Sequence, residues 1–414
     1  MKKVVKIILI VLASIFALIF LAIAGTAFVF RNEISVYSSI RQLKPANREE
    51  YQGGVYEITY KGNYYFNDYL KMGGVKTDKE LTDFLNKKFT KGLVAMETST
   101  GNFGCSAFTA RTKNGQKLLA RNYDYPATNT CIVKVKGNKK RHASISTVDL
   151  SFLGIPFKKD MDSFYTKIFS ISAVYIPLDG INDAGVSCGV LESGQGPGMR
   201  SVPTNQNTDK PDISTGSFIR MILDYADSLE EAVELARKYD MHDSGTASYH
   251  YIIADRTGRS AILEWVNDID LNDFYGNKRE LVVTWNDSDS DIGPREAASD
   301  FQWITNFIIQ PGYYEGTEEK YISGLDRYNI IYEKLSPVNG ILQNEKQAMD
   351  ILCSASQKSV APERRKIYNH LTVHSVVYNL DELSVLWCPA EQYQDVQGMS
   401  KYHIKNGKIV NDRF

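Results

Sequence analysis

The sequence predicts an α+β layered domain behind a membrane-directed N-terminus. Strand-like stretches come in groups and helical stretches come in groups, which favours α+β layers over a βαβ alternation. The chain has 414 residues, 43% of them hydrophobic and 23% charged, enough for a sizeable core in one large domain or two smaller ones. From Ile7 to Phe30 no charge interrupts an apolar run. At about 1.5 Å per residue such a run spans a bilayer core of roughly 30 Å.

Lys2, Lys3 and Lys6 precede the run. By the positive-inside rule they hold the extreme N-terminus in the cytoplasm and send the rest outward, a single-pass arrangement with everything after residue 31 outside. Ala22-Ile23-Ala24 offers a signal-peptidase site, so a secreted protein with a cleaved signal is the alternative. The run exceeds the usual signal core of about 7–15 residues, which favours an uncleaved anchor over residues 1–31. The 48 basic and 49 acidic residues nearly cancel, which argues against a nucleic-acid groove or a strongly acidic substrate.

Residues 32–104 read as a juxtamembrane segment and prosegment. A helix is expected from Asn32 to about Leu43, a polar linker from Pro45 to Gly54, and a strand at Tyr56–Tyr60. An amphipathic helix follows at Thr77–Phe89, capped by Thr77 or Asp78 and carrying Leu81, Phe84 and Leu85. The turn-rich run Thr98 to Gly104 then leads directly into Cys105. Strands are predicted at Ser106–Arg111, Lys117–Asn122, Cys131–Val135, Ser144–Asp149, Ser170–Ile176 and Val186–Leu191. Thr215-Gly216-Ser217 opens a helical pattern to Leu235, as one helix or as two meeting near Asp227-Ser228. Strands return at His250–Asp255, Ala261–Val266 and Leu281–Trp285. Helices are predicted at Arg295–Phe307, Leu325–Leu335 and Glu345–Ser354, and terminal strands at His374–Asn379 and Ser384–Cys388.

Five cysteines are too few for a disulfide scaffold, and their odd number leaves at least one thiol unpaired in an exported chain. Cys131 and Cys188 read as buried and inert; Cys353 and Cys388 pair or are simply buried. Cys105 is different because of what faces it. Asn114-Gly115 signals a tight hairpin, and a two-residue turn there sets Cys105 opposite Asp124. Directly paired Cα atoms lie about 4.5–5.5 Å apart. If the chain is cut between Gly104 and Cys105, a thiol, a carboxylate and a free amine would share one small space.

That grouping is chemically coherent. A thiol with pKa about 8.5 is little ionised at neutral pH, whereas an α-amine at about 7.7–8.0 can serve as its base. Asp124 can hold the amine, Arg121 can stabilise the thiolate, and Gly104 leaves the scissile carbonyl uncrowded. The same two-residue turn, however, points Arg121 away from Asp124, so a bulge or longer turn is needed for both to reach the site.

These residues resemble the choloylglycine hydrolase family of linear-amide hydrolases, which includes bile salt hydrolases, penicillin V acylases and acid-ceramidase-like N-acylethanolamine amidases. The nucleophilic Cys followed by Arg121-Asn122-Tyr123-Asp124 has the family's spacing. Gly180-Ile181-Asn182-Asp183-Ala184-Gly185-Val186 is similar to its Gly-Met-Asn-x-x-Gly-Leu turn, which makes Asn182 an oxyanion-hole candidate. Further matching stretches are the Ser217–Leu235 helix, the run from Ile253 to Gly258 and the run from Val376 to Leu380. Val282-Val283-Thr284-Trp285-Asn286 departs by one position from the family's Val-x-Thr-Asn, and makes Asn286 the expected second oxyanion donor. Arg327 best matches the family's later active-site Arg, with Arg295 as competitor.

The resemblance implies the αββα sandwich of N-terminal-nucleophile (Ntn) hydrolases over residues 105–414. It also implies hydrolysis of an amide between an acyl group and a small amine. It calls for no cofactor or metal. The long prosegment departs from bile salt hydrolases and lies closer to the N-acylethanolamine amidases. With 25 Tyr and 18 Phe available for an apolar pocket, lipid-like N-acylethanolamines or N-acyl amino acids are the expected substrates, and conjugated bile salts or penicillin V the alternatives. The prosegment is expected to stay bound to the catalytic domain after the cut, and self-association into a homo-oligomer is left open.

Competing readings are weaker. A papain-like enzyme with His250 or His374 as base lacks its local signature. His370 and His374 have zinc-like spacing but lie on a strand pattern without a third ligand. An anchored, non-catalytic binding domain is a reading of a different class, and intact Cys105, Arg121 and Asp124 speak against it.

Overall fold

A computed structural model describes residues 2–96, 103–194, 201–267, 276–287, 293–295, 300–395 and 398–412. Two large, mainly antiparallel sheets face one another. The first has nine strands in the order Arg41–Lys44, Val55–Tyr60, Thr130–Val135, Ser144–Asp149, Asp179–Asn182, Ser187–Glu192, Tyr249–Ala254, Ser260–Val266 and Glu280–Trp285. The second runs Trp303–Ile304, Gly104–Thr112, Lys117–Pro126, His370–Asn379, Ser384–Pro389, Ser400–Lys405 and Lys408–Asp412. Ile341–Leu342 lies parallel to Gly104–Thr112 as its eighth strand.

The sheets meet where Gly104–Thr112 and Lys117–Pro126 pack on Ser187–Glu192. Helices Thr215–Tyr225 and Leu229–Lys238 cover the outer face of the first sheet, and Leu325–Leu335 and Glu345–Ser354 that of the second. The result is the four-layer αββα arrangement expected of an Ntn hydrolase. Strands in the middle are buried on both faces, as Ser144–Asp149 and Tyr249–Ala254 are along their whole lengths.

Several expectations need correction. The helix predicted from Asn32 to Leu43 ends at Tyr37, and Arg41–Lys44 is an edge strand. The apolar run Ser170–Ile176 is the end of helix Phe164–Ser170 followed by a 3-10 turn at Ala173–Tyr175; the strand comes later, at Asp179–Asn182. A short apolar run lacks the period that separates a buried strand from a buried helix. The predicted helix Arg295–Phe307 holds instead the strand Trp303–Ile304, while residues 296–299 lie outside the described set. The turn-rich run Thr98 to Asn102 also lies outside it. The C-terminal hairpin Ser400–Asp412 was not anticipated.

The segment between the apolar helix and Cys105 is built into the fold. Val55–Tyr60 pairs in parallel with Thr130–Val135 through six residues, and its helix Asp78–Leu85 is capped by the Thr77 side chain, as predicted. That helix continues as a π-turn, Asn86–Thr90. All five cysteines are free thiols, so Cys353 and Cys388 do not pair.

Candidate active site

The hairpin that carries Cys105 turns through three residues rather than two. Thr112 accepts a hydrogen bond from the Gly115 N–H at 2.8 Å, and the Thr112 N–H donates to Gln116 across the loop at 2.8 Å. Gly115 takes φ +81°, the left-handed value that closes a three-residue loop. The extra residue moves the register by one: Cys105 faces Tyr123, and Asp124 faces Gly104. This overturns the predicted Cys105–Asp124 pairing and supplies the longer turn Arg121 needed. Ala107 now faces Arg121, so Arg121 and Cys105 share one side of the sheet.

Arg121 is wholly buried and donates from Nη2 to Cys105 Sγ at 3.1 Å. Its Nη1 donates to Asp179 Oδ2 at 2.6 Å, and Nε and Nη2 donate to the Val190 carbonyl at 3.1 and 2.7 Å. Asp179 also accepts from the Tyr378 hydroxyl at 2.5 Å and from Thr147, and pairs with His374 Nε2 at 3.0 Å. Burial alone would raise the Asp179 carboxyl, but Arg121 and His374 outweigh it and hold it well below the carboxylate range. His374, once a candidate base, is thus tied to Asp179.

On the other side of the hairpin, Asp124 accepts from Arg327 Nη1 at 3.0 Å, Gln357 Nε2 at 3.1 Å and Thr372 Oγ1 at 2.7 Å. A Cβ placed on Gly104 would lie 3.3 Å from Asp124 Oδ2, so the carboxylate sits beside the residue that precedes Cys105. Arg327 also donates to the Cys105 carbonyl and, from Nη2, to Asn306 Oδ1 at 2.7 Å. The Cys105 N–H donates to the same Asn306 Oδ1 at 2.9 Å. Burial pushes the Cys105 thiol up to about 12, with Arg121 pulling it down, Asp124 raising it and Arg327 pulling it down.

The structure therefore gathers Cys105, Arg121, Asp124 and Arg327, with Gly104 between them. It does not bring Asn182 or Asn286 there. Asn182 accepts from the Ala184 and Val186 N–H groups at 3.1 and 3.0 Å and donates to the Ala226 carbonyl at 2.8 Å, so it is a turn-closing residue. Asn286 spans two strand ends, accepting from the Ser260 N–H at 3.1 Å and donating to the Gly258 carbonyl at 3.2 Å. Arg295 donates to Asn329 at 2.9 Å, which leaves Arg327 as the second arginine of this site beside Arg121.

Three residues at the site were missed. Asn306, rather than Asn286, stands beside Cys105; its Thr305-Asn306 dipeptide repeats the Thr-Asn of the expected motif and was hidden inside a mispredicted helix. Asp179 stands just before the Gly180 turn. Glu192 ends the strand Ser187–Glu192: its carboxylate accepts the Phe103 N–H at 2.5 Å, and its carbonyl accepts from Asn306 Nδ2 at 2.8 Å. Burial raises the Glu192 carboxyl to about 7, against hydrogen bonds from Phe103 and Ser201 that lower it.

Residues 105–288 match the family described as linear amide C-N hydrolases, choloylglycine hydrolase family. A search of curated proteins found no match. Among solved structures, the chain is similar to the conjugated bile acid hydrolase from Clostridium perfringens, at 16% identity and TM-score 0.47, covering 75% of this chain and 97% of that one. It is similar to the penicillin V acylase from Agrobacterium tumefaciens at 16% identity and TM-score 0.36, covering 73% and 92%. For the N-acylethanolamine-hydrolyzing acid amidase ortholog of Caenorhabditis elegans the values are 15%, 0.38, 67% and 93%. With its Cys105 hairpin and its two facing sheets the chain has the layered fold of an Ntn hydrolase, and the family match over residues 105–288 supports an amidohydrolase acting on linear amides.

Proposed function

We propose that the chain cuts itself between Gly104 and Cys105 and that the freed Cys105 then hydrolyses N-acyl amides with an unbranched, apolar acyl group. N-acylethanolamines and N-acyl amino acids are the substrates of this kind that the reading favours. The observation that carries it is the placing of one residue, Cys105, between Arg121 on its sulfur at 3.1 Å and Asn306 on its nitrogen at 2.9 Å.

In the cut, Cys105 Sγ attacks the Gly104 carbonyl carbon. The sulfur–carbon bond forms, the carbon–nitrogen bond breaks, and the thiol proton ends on the departing Cys105 amine. Water then opens the thioester, leaving a Gly104 carboxylate and the Cys105 thiol. The freed amine would lie against Asn306 Oδ1, with the Asp124 carboxylate beside the place vacated by Gly104, and there it can take the thiol proton in later turnovers. Arg121 steadies the thiolate, and Asn306 Nδ2, which holds the Glu192 carbonyl at 2.8 Å and the Phe103 carbonyl at 3.5 Å before the cut, can turn its second N–H to a substrate oxyanion once Phe103 has left. Arg327 and Asp179 hold Asp124 and Arg121 in place.

Each substrate would pass through a thioester on the same sulfur as the Gly104 thioester, so its acyl group takes the space of Gly104 and Phe103. Gly104 has little room for a branch: a Cβ there would come 3.1 Å from Asp124 Cβ, closer than ordinary van der Waals contact. Beyond it, the Phe103 ring is buried among Tyr123, Tyr249 and Phe152, at centroid distances of 5.3, 5.3 and 6.4 Å. This favours an acyl chain that is unbranched next to the carbonyl and apolar beyond. Full-length protein is to be analysed by N-terminal sequencing and tested on fatty N-acyl amides, conjugated bile salts and penicillin V. A chain starting at Cys105 with turnover of the fatty amides is expected. Turnover of only the other two sets would refute the lipid assignment, and an uncut chain with no turnover would refute the whole reading.

A further inference from the structure

The end of the apolar N-terminal helix is ringed by aromatic and basic side chains that the active site does not use. This helix, Lys2–Val29, has no buried residue over its apolar span and is followed after one residue by helix Arg31–Tyr37. The junction is tied to the domain. Helix Arg31–Tyr37 packs on the strand Val55–Tyr60, and its Glu33 is buried, accepting from the Tyr65 hydroxyl at 2.6 Å and from Lys91 Nζ at 3.2 Å.

Beside this junction, helix Phe164–Ser170 presents Phe164 at 58% and Tyr165 at 61% exposure. The Phe164 ring lies 6.2 Å from that of Tyr37, and the Tyr165 ring 5.8 Å from that of Phe164. Cations are interleaved with these rings. Arg31 lies 4.5 Å from the Phe28 ring, Lys91 5.4 Å from Phe30, and Lys167 5.8 Å from Tyr37. Asp160, in the preceding turn, is paired with Arg48 at 2.8 Å.

A single exposed aromatic residue needs no explanation. Two adjacent ones, continuous with the end of an apolar helix and set among cations, have the composition of a membrane–water interface, where aromatic rings sit at headgroup level and basic groups meet anionic lipid. We propose that Phe164 and Tyr165 enter the interfacial layer of an anionic bilayer beside the N-terminal helix, a second contact that lays the catalytic domain against the membrane. The proposal rests on residues 3–29 remaining as an uncleaved anchor.

The test uses full-length protein in nanodiscs of phosphatidylcholine and phosphatidylglycerol, with lipids brominated near the headgroup end of the acyl chain. Added tryptophan emission is read against wild type for Phe20→Trp in the apolar helix, Tyr165→Trp in the patch, and Val338→Trp in the helix layer over the second sheet. Quenching of Tyr165→Trp several-fold above that of Val338→Trp is expected. If Phe20→Trp is quenched while Tyr165→Trp matches Val338→Trp, the anchor stands and the second contact is refuted. If Phe20→Trp is unquenched as well, the anchor and this proposal fall together.

Discussion

With its thiol pushed up to about 12 in the uncut chain, Cys105 is neutral there at ordinary pH, and on the proposed mechanism its turnover of substrates, unlike the cut itself, draws on the amine that the cut would release. Cys105→Ala should therefore abolish both the cut and turnover, the latter by on the order of 10³-fold or more. Intact mass and amide hydrolysis read the two separately. Asn306→Ala should lower kcat by roughly 10²–10³-fold, as loss of an oxyanion donor does. Asn182→Ala is the matched control. It should lower thermal stability by about 1–3 kcal/mol, because it strips buried hydrogen bonds, while each folded molecule keeps its activity. Equal activity losses in the two variants would contradict the placing of Asn306 at the chemistry.

Glu192 gives a pH dependence with a definite sign. Its carboxyl is raised by burial to about 7 from an ordinary value near 4.5, so the folded protein holds this proton more tightly than the unfolded chain. That stabilisation is complete below the unfolded value and is lost as pH rises through about 7. Wild type should lose more thermal stability between mildly acidic and mildly alkaline buffer than Glu192→Gln, which cannot ionise. Parallel melting curves against pH would contradict this. At this scale the grouping of Cys105, Arg121 and Asp124 was legible from the hairpin and the family resemblance, and Arg327 from the resemblance alone, with Arg295 as its competitor. Asn306 and Glu192 were not, because an amide or a carboxylate at a strand end reads like any polar residue until the opposite strand is in place.

Among the elements, the hairpin loop at Lys113–Gly115 decides which side of the sheet Arg121 faces. Gly115→Ala keeps the loop but forces a side chain into φ +81°, and should cost about 1–2 kcal/mol of stability with the site intact. Deleting Gln116 should instead close the same loop on Lys117, shift the register by one, set Arg121 opposite Phe108 on the face away from Cys105 and remove the cut, which intact mass would show. Asn114-Gly115 announced a turn correctly but did not give its length, since the same dipeptide serves two- and three-residue loops. Longer elements such as Leu325–Leu335 and Ser144–Asp149 were legible from their periodicity or apolar density. The four-residue strand Asp179–Asn182 and the two-residue strand Trp303–Ile304 are too short to show a period, and their partners, distant in sequence, determine them.

For the molecule as a whole, the α+β layering followed from grouped strands and helices and the two facing sheets from the family resemblance, whereas the place of Val55–Tyr60 inside the first sheet did not, because a parallel pairing across some 70 residues leaves no local signal. That pairing predicts that the two pieces stay together after the cut. Native mass spectrometry of wild type should show both pieces in one particle, and Cys105→Ala a single chain of the same total mass. Separation of the pieces without denaturant would contradict it.

The strand Val55–Tyr60 lies within the nine-stranded sheet, with Arg41–Lys44 on one side and Thr130–Val135 on the other. A chain that assembles this sheet before the cut does so as a single molecule. Once cut, the same sheet can be rebuilt only by an encounter between two molecules. The mature enzyme would then behave as a one-way product of its own folding: recovery from denaturant should slow on dilution for the wild type and be independent of concentration for Cys105→Ala.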